Sequence, residues 1–155
     1  MTAALILQQA KTQGVMIATA ESCTGGMVSA ALTDIAGSSA VFERGFVTYT
    51  NAAKMQMLGV RTATLEAYGA VSEQVAAEMA QGALAQSRAH LAVAITGIAG
   101  PGGSEHKPEG RVCFGIATAA DCRTETVEFG ALGRAQVRVA ARDHALGLLL
   151  AALVP

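Results

Sequence analysis

The sequence is poor in aromatic and charged side chains. Its 155 residues include no tryptophan, two tyrosines and four phenylalanines, and charged residues make up 15%. The formal net charge of −1 gives no reason to expect attraction to a polyanion, and few rings are available to stack on bases. We therefore expect no nucleic-acid binding, and a small polar molecule fits better as the partner.

Cysteine is also scarce, and the three cysteines form no CxxC pair. Their odd number argues against a disulfide framework, and their spacing argues against a zinc site. Reduced thiols of this kind indicate the cytoplasm. The three histidines, His90, His106 and His144, show no metal-ligand spacing either, so we expect no metal and no other cofactor.

Long apolar runs and targeting segments are missing as well. No basic segment followed by an apolar run and a cleavage site opens the chain, and the apolar stretch from Ala145 to Val154 is shorter than the roughly 20 residues of a membrane span. We expect neither a targeting signal nor a membrane anchor. The Ala-rich, apolar composition permits a homo-oligomer without requiring one.

What is present fits one domain over residues 1–155. Hydrophobic residues make up 52% of the chain, and short β-branched runs alternate with Ala-rich runs of helical period. The predicted strands are Val15 to Ala20, Val41 to Thr50, Leu91 to Thr96, Arg111 to Ala117 and Thr124 to Phe129. A short polar turn makes the last two a hairpin. We predict an α/β fold, a three-layer α/β/α sandwich with a mixed, mostly parallel central sheet.

Two helices have clear signals. One begins after Ser72 as N-cap, with apolar pairs that recur every four residues. The other is predicted from about Arg134 toward Leu150, with its core positions at Val137, Ala141, Ala145 and Leu148.

A first polar segment, Thr19 to Gly26 (TAESCTGG), leaves a strand and enters a helix through two glycines. Such a turn exposes side chains at the carboxyl edge of the sheet, and the helix start offers N–H groups for an anion or oxyanion. Ser22 is placed as a nucleophile. The alternative is that Ser22, Cys23 or Thr24 merely caps the helix.

A second segment, Phe42 to Lys54, is predicted to end a strand at Tyr49 and to start a helix with Asn51 as N-cap. Lys54 then lies in the first helical turn. The helix dipole and any loss of solvent would both favour its neutral form, which a general base needs. An exposed, solvated lysine is the alternative, and for Tyr49 the alternative is an aromatic residue at the sheet edge.

A third segment, Ile95 to Pro108 (ITGIAGPGGSEHKP), follows a buried strand and matches neither a Walker A loop nor a dinucleotide fingerprint. Its backbone could cradle a phosphate, or it could be a plain surface loop. Arg134, Arg138 and Arg142 recur every four residues on the last helix. One of them could pair with a phosphate, unless the row is simply a solvated face.

These segments, in this order, resemble the CinA C-terminal family, also called the nicotinamide-nucleotide amidase family. The resemblance covers nearly the whole chain. The motifs that carry it are TAESCTGG at Thr19, DIAGSS at Asp34, FERGFVTY at Phe42, NAAK at Asn51, GAVSE at Gly69 and ITGIAGP at Ile95. The resemblance implies a three-layer α/β/α sandwich with a mixed sheet, as the strand and helix pattern does.

The resemblance also implies a metal-free amidase that converts nicotinamide mononucleotide to nicotinic acid mononucleotide and ammonia. Its serine and lysine match Ser22 as nucleophile and Lys54 as general base. Tyr49 matches a further position, where it would relay a proton or orient Lys54. The N–H groups that would form the oxyanion hole belong to Cys23, Thr24 and Gly25.

Four further positions are implied to bind the substrate: Thr96, Gly97, Gly100 and Arg138. Arg138 is assigned to the nucleotide phosphate and Thr96 to positioning. The loop from Gly100 to Lys107 is one residue shorter than the common family pattern, and Val139 replaces a frequent arginine. Without the nucleotide-processing domain of longer family members, the chain resembles the stand-alone amidase form. The alternative is a non-catalytic nucleotide-binding or regulatory module linked to competence or DNA-damage responses.

Overall fold

The computed structural model describes residues 2–155, which form six α-helices, five strands and one 3₁₀ turn. The helices are α1 (Thr2–Gln13), α2 (Met27–Thr33), α3 (Asn51–Leu58), α4 (Thr62–Tyr68), α5 (Glu73–Ala85) and α6 (Arg134–Leu153). The strands are β1 (Ile17–Glu21), β2 (Phe42–Val47), β3 (Leu91–Gly97), β4 (Arg111–Ala117) and β5 (Cys122–Glu128), and the 3₁₀ turn is Ser38–Ala40.

The strands form one sheet in the order β2-β1-β3-β4-β5. Strands β2, β1 and β3 are parallel to one another, β4 is antiparallel to β3, and β5 is antiparallel to β4. Four of the five strands therefore run in one direction. The predicted mixed, mostly parallel sheet and its closing hairpin are confirmed.

Helices cover both faces of the sheet, which confirms the three layers. One core packs α1, α2 and α6 against Ile17, Val93 and Ile95, and the other packs α3 and α5 against the alternating alanines of the same strands, Ala18, Ala20, Ala92 and Ala94. Because side chains alternate along a strand, each residue of β1 and β3 faces one helical layer or the other. Alanines on one face let α5 lie close to the sheet.

The predicted elements form with shifted ends, and two details were wrong. Ser72 caps α5, its hydroxyl accepting from the Val75 N–H at 3.2 Å. Asn51 is the first residue of α3 rather than its N-cap, because the Thr50 hydroxyl accepts from the Ala53 N–H. In α6 the fully buried position is Leu149, while Leu148 is only partly buried.

Within residues 2–155, none of the helices combines the length and the apolar character needed to cross a membrane.

Gly82 shows where the α5 layer has no spare room. A Cβ at this position would overlap the carbonyl oxygen of Leu58, whereas a Cβ at Gly147, which is exposed on α6, would meet nothing within 4 Å. We expect Gly82→Ala to lower the free energy of unfolding by about 1–3 kcal/mol through overpacking. Gly147→Ala should raise it by about 0.5–1 kcal/mol through helix propensity. Urea unfolding measures both, and a gain for Gly82→Ala would contradict this packing.

Candidate active site

The candidate site lies where the parallel strands β1, β2 and β3 end. Ser22 directly follows β1, and its N–H donates to the carbonyl of Ile95 in β3 at 3.0 Å. On the other side, the Thr48 N–H donates to the Glu21 carbonyl at 2.9 Å, which extends the pairing of β1 with β2 by one residue. The carboxyl ends of parallel strands are thus held side by side, and Ser22 lies between them.

Lys54 reaches this edge from α3. Its side chain is buried, with 1% of its surface exposed, and its Nζ lies 3.0 Å from the Ser22 Oγ. The same Nζ lies 3.1 Å from the Thr48 carbonyl oxygen and 3.3 Å from the Tyr49 carbonyl oxygen. The structure therefore brings Ser22 and Lys54 into direct contact, and the alternative of an exposed, solvated lysine is excluded.

The surroundings of Lys54 favour its neutral form. Burial lowers the pKa of the Lys54 ammonium below its ordinary value of 10.5. In residues 2–155 its Nζ makes no ion pair with a carboxylate that would hold the charge in place. A neutral amine has two N–H groups and one lone pair. With both N–H groups donated to the two carbonyls, the lone pair is left for the Ser22 O–H.

Glu21, a residue that the sequence analysis did not single out, supports the turn from inside. Its carboxylate is fully buried and accepts from the N–H groups of Gly26, Val28 and Ser29 at 3.2, 3.0 and 2.9 Å. It also accepts from the Ser29 hydroxyl at 2.8 Å. The signal in the sequence was a carboxylate at the end of an otherwise apolar strand.

Glu21 corrects the expectation for the start of α2. The N–H groups there donate to its carboxylate, so they do not offer an anion site, and neither Ser22, Cys23 nor Thr24 caps the helix. The Gly25 N–H donates to the Ser22 carbonyl at 3.0 Å. Of the three residues expected to form the oxyanion hole, only Cys23 lines the cleft beside Ser22.

Cys23 follows the candidate nucleophile directly. Its side chain is buried, and burial raises the pKa of the thiol to about 11. The thiol therefore stays protonated near neutral pH, where a thiolate would be needed for attack. Ser22, rather than Cys23, is the group in contact with the Lys54 amine.

A cleft of about 330 Å³ opens in front of Ser22 and Lys54. Three predicted substrate-binding residues, Thr96, Gly97 and Gly100, line it. The Thr96 hydroxyl donates to the Ala70 carbonyl at 2.8 Å, which ties β3 to the segment before α5. That segment, the source of the GAVSE motif, adds Ala70 and Val71 to the wall.

The glycine-rich loop that borders the cleft is tied down on both sides. The Glu109 carboxylate accepts from the N–H of Gly102 at 2.8 Å and from the N–H of Gly133, next to α6, at 3.1 Å. The Lys107 Nζ donates to the carbonyls of Tyr68 and Val71, each at 2.6 Å. The loop is thus a wall of the cleft held in place by hydrogen bonds. Its role in binding a phosphate stays a prediction.

The arginine row divides between two places. Arg134 lines the cleft, and its guanidinium donates to the Gly100 carbonyl at 2.6 Å and to the Tyr49 phenol at 2.8 Å. Arg138 is not among the residues that line the cleft, and its guanidinium donates to the Cys23 carbonyl at 3.0 Å instead. Tyr49 meets Lys54 through its carbonyl, not its phenol.

Two of the three histidines, His90 and His144, have structural contacts. The His90 Nδ1 accepts from the Met16 N–H, and the His144 ring packs on Phe114 with its Nε2 against Glu125. Over residues 2–155, His, Cys, Asp and Glu side chains form no group of three or more that could hold a metal ion.

Comparison with known proteins gives a family match and curated relatives. The model of the CinA C-terminal domain matches residues 1–153. A CinA-like protein of Chlorobium phaeobacteroides (strain BS1) is 53% identical over 146 residues, which are 91% of this chain but 35% of that protein. The nicotinamide-nucleotide amidohydrolase PncC of Escherichia coli (strain K12) is 64% identical over 113 residues, 72% of this chain and 68% of that protein.

Solved structures have the same fold. The competence/damage inducible protein CihA from Agrobacterium tumefaciens superposes with a TM-score of 0.94 at 51% identity, covering 97% of this chain and 92% of that chain. The competence damage-inducible protein A from Klebsiella pneumoniae subsp. pneumoniae MGH 78578 gives a TM-score of 0.94 at 37% identity, with 98% and 94% covered.

Removing the charge of Glu21 tests the inner support of the turn. In Glu21→Gln the amide group presents N–H donors where backbone N–H groups now find a carboxylate oxygen, so bonds to a charged group are lost. We expect the free energy of unfolding to fall by about 1.5–3 kcal/mol. Glu66→Gln, at an exposed position of α4, is the control and should change it by less than about 0.5 kcal/mol. Equal effects in urea unfolding would refute the support.

Proposed function

Because the chain belongs to the CinA C-terminal domain family, we propose that it hydrolyses the carboxamide of nicotinamide mononucleotide, giving nicotinic acid mononucleotide and ammonia. The observation that carries the proposal is the buried Lys54 amine 3.0 Å from the Ser22 hydroxyl, at the floor of a cleft. The printed name of the Escherichia coli relative, nicotinamide-nucleotide amidohydrolase, points to the same substrate.

In the first half-reaction, neutral Lys54 takes the proton of the Ser22 hydroxyl while its oxygen attacks the carboxamide carbon. The C–N bond of the tetrahedral intermediate then breaks. The departing nitrogen receives the proton held by Lys54 and leaves as ammonia, and the nicotinoyl group stays on Ser22 as an ester. The two carbonyls that accept from Nζ keep the amine oriented during both proton transfers.

In the second half-reaction, water takes the place of the amine. Lys54 removes a proton from the water, which attacks the ester carbon, and the C–O bond to Ser22 breaks. The proton returns from Lys54 to the Ser22 oxygen, and the free acid leaves. The Cys23 N–H, beside Ser22 on the cleft wall, is our candidate donor to the oxyanion of both intermediates.

The cleft suits a ring that carries a phosphorylated sugar. Its volume of about 330 Å³ lies at the small end of ligand pockets, which span about 300–1,000 Å³. Apolar side chains of Val71 and Ile98 offer a wall for a pyridine ring. Arg134, exposed at the mouth, is the guanidinium that we assign to the phosphate. With its three cysteines free, we place this reaction in the cytoplasm.

Purified protein should release ammonia from nicotinamide mononucleotide with a chelator present. We expect Ser22→Ala to lower kcat at least about 10³-fold, since the nucleophile is lost. Lys54→Met should lower it about 10²- to 10⁴-fold, since the base is lost. Lys11→Met, at an exposed position of α1, is the control that keeps full activity. No release by well-folded wild-type protein would instead favour the regulatory nucleotide-binding module.

The pH profile tests the state of Lys54. Because a general base must be unprotonated, kcat/KM should be low below the Lys54 pKa and rise as the pH passes through it. Burial lowers that pKa from 10.5, so the midpoint of the rise should lie below pH 10.5. Residual activity of Lys54→Met should lack the rise. An unchanged acid limb in that variant would assign the titration to another group.

A further inference from the structure

Arg138 reaches across from α6 to the turn that follows Ser22. Its Nε donates to the Cys23 carbonyl at 3.0 Å and its Nη2 donates to the Thr24 carbonyl at 3.4 Å, so one guanidinium spans two successive carbonyls. The side chain is half-buried, and within residues 2–155 it makes no ion pair with a carboxylate. Its polar contacts are therefore with the backbone of this turn.

Holding a carbonyl also fixes the amide of the same peptide group. In a trans peptide the C=O and the N–H point in opposite directions. The two carbonyls face Arg138, so the N–H groups of Thr24 and Gly25 face away from it. The Gly25 N–H closes the turn on the Ser22 carbonyl at 3.0 Å. The two bonds from Arg138 thereby hold the orientation of the peptide groups that join Cys23 to Thr24 and Thr24 to Gly25.

Two side chains, Glu21 and Arg138, hold the turn by hydrogen bonds from opposite sides. Glu21 accepts from the N–H groups at its far end, Gly26 among them, while Arg138 donates to its carbonyls. Gly25 lies between the groups bonded to Arg138 and those bonded to Glu21. It has a φ of +57°, and a Cβ there would lie 3.3 Å from the Arg138 Nη2. A side chain at position 25 would therefore meet both a strained backbone and a close contact with the guanidinium.

We propose that Arg138 is a positioning residue that holds the turn after Ser22 in the shape its attack requires, and that it does not bind the substrate phosphate. This assignment rests on the proposed amidase function. It divides the arginine row by role. Arg134 belongs to the cleft, Arg138 to the turn, and Arg142 pairs with its neighbour Asp143 away from both.

Steady-state kinetics with nicotinamide mononucleotide separates the roles. We expect Arg138→Gln to lower kcat about 10- to 100-fold, as for a small misplacement of a reacting group, and to change KM by less than about twofold. Arg138→Lys should recover part of the loss, since an ammonium can hold one carbonyl but lacks the planar fork. Arg134→Gln should raise KM with a smaller effect on kcat, and Arg142→Gln should match the wild type.

Hydrogen–deuterium exchange gives a readout that needs no turnover. In Arg138→Gln, amides of the peptide covering residues 22–28 should exchange at least about 10-fold faster than in the wild type, and in Arg142→Gln at the wild-type rate. If Arg138→Gln does not fold, Arg138→Lys carries both comparisons. A raised KM with unchanged kcat, or unchanged exchange, overturns the proposal. Failure of the wild type to hydrolyse the nucleotide refutes the function alone, because exchange still decides the role of Arg138.

Discussion

The burial of the Lys54 amine beside Ser22 is the constraint on which the rest of the site depends. An ammonium removed from water without a carboxylate partner costs several kcal/mol, whereas a neutral amine with two accepting carbonyls avoids most of that cost. Three polar groups lie within hydrogen-bond distance of Nζ, and two of them are backbone carbonyls that cannot give up a proton. The hydroxyl of Ser22 is the one neighbour that can. Desolvation thus favours the neutral amine that the proposed mechanism uses as its base, and the Ser22 hydroxyl lies beside it.

The sheet determines on which side Ser22 and Glu21 lie. Alternation along β1 sends Ala18 and Ala20 toward the layer of α3 and α5, so Ser22, two residues further on, continues toward Lys54 on α3. Glu21 faces the opposite layer, where α2 begins. A shift of one residue in the register would exchange the places of Ser22, the proposed nucleophile, and Glu21, the carboxylate that supports its turn. The pairing of Glu21 with Val47 in β2 and Ile95 in β3 therefore fixes the geometry of the candidate site.

Periodicity and spacing predicted the layers and the hairpin, because these depend on patterns of two to four residues. The turn signals left the roles of Ser22 and Lys54 open, and it was the family resemblance that implied them. Glu21 was missed, since a helix cap is sought next to the helix, whereas this carboxylate reaches forward five to eight residues from a strand. The separate places of the arginines were harder still to predict from the sequence. Positions 134 and 138 share one helical face, and only the packing angle of α6 decides which one meets the cleft.

The sequence places a thiol directly after the serine, and thiols are intrinsically the better nucleophiles, so the choice between Ser22 and Cys23 needs a physical reason. Burial acts on the Cys23 thiol and on the Lys54 amine, with opposite consequences for catalysis. It raises the pKa of the Cys23 thiol, which keeps the thiol protonated near neutral pH, and it lowers the pKa of the Lys54 amine, which favours the form that can accept a proton. The amine contacts the hydroxyl and not the thiol in this network. For the proposed mechanism, the same burial therefore argues against Cys23 as the nucleophile and for Lys54 as the base of Ser22.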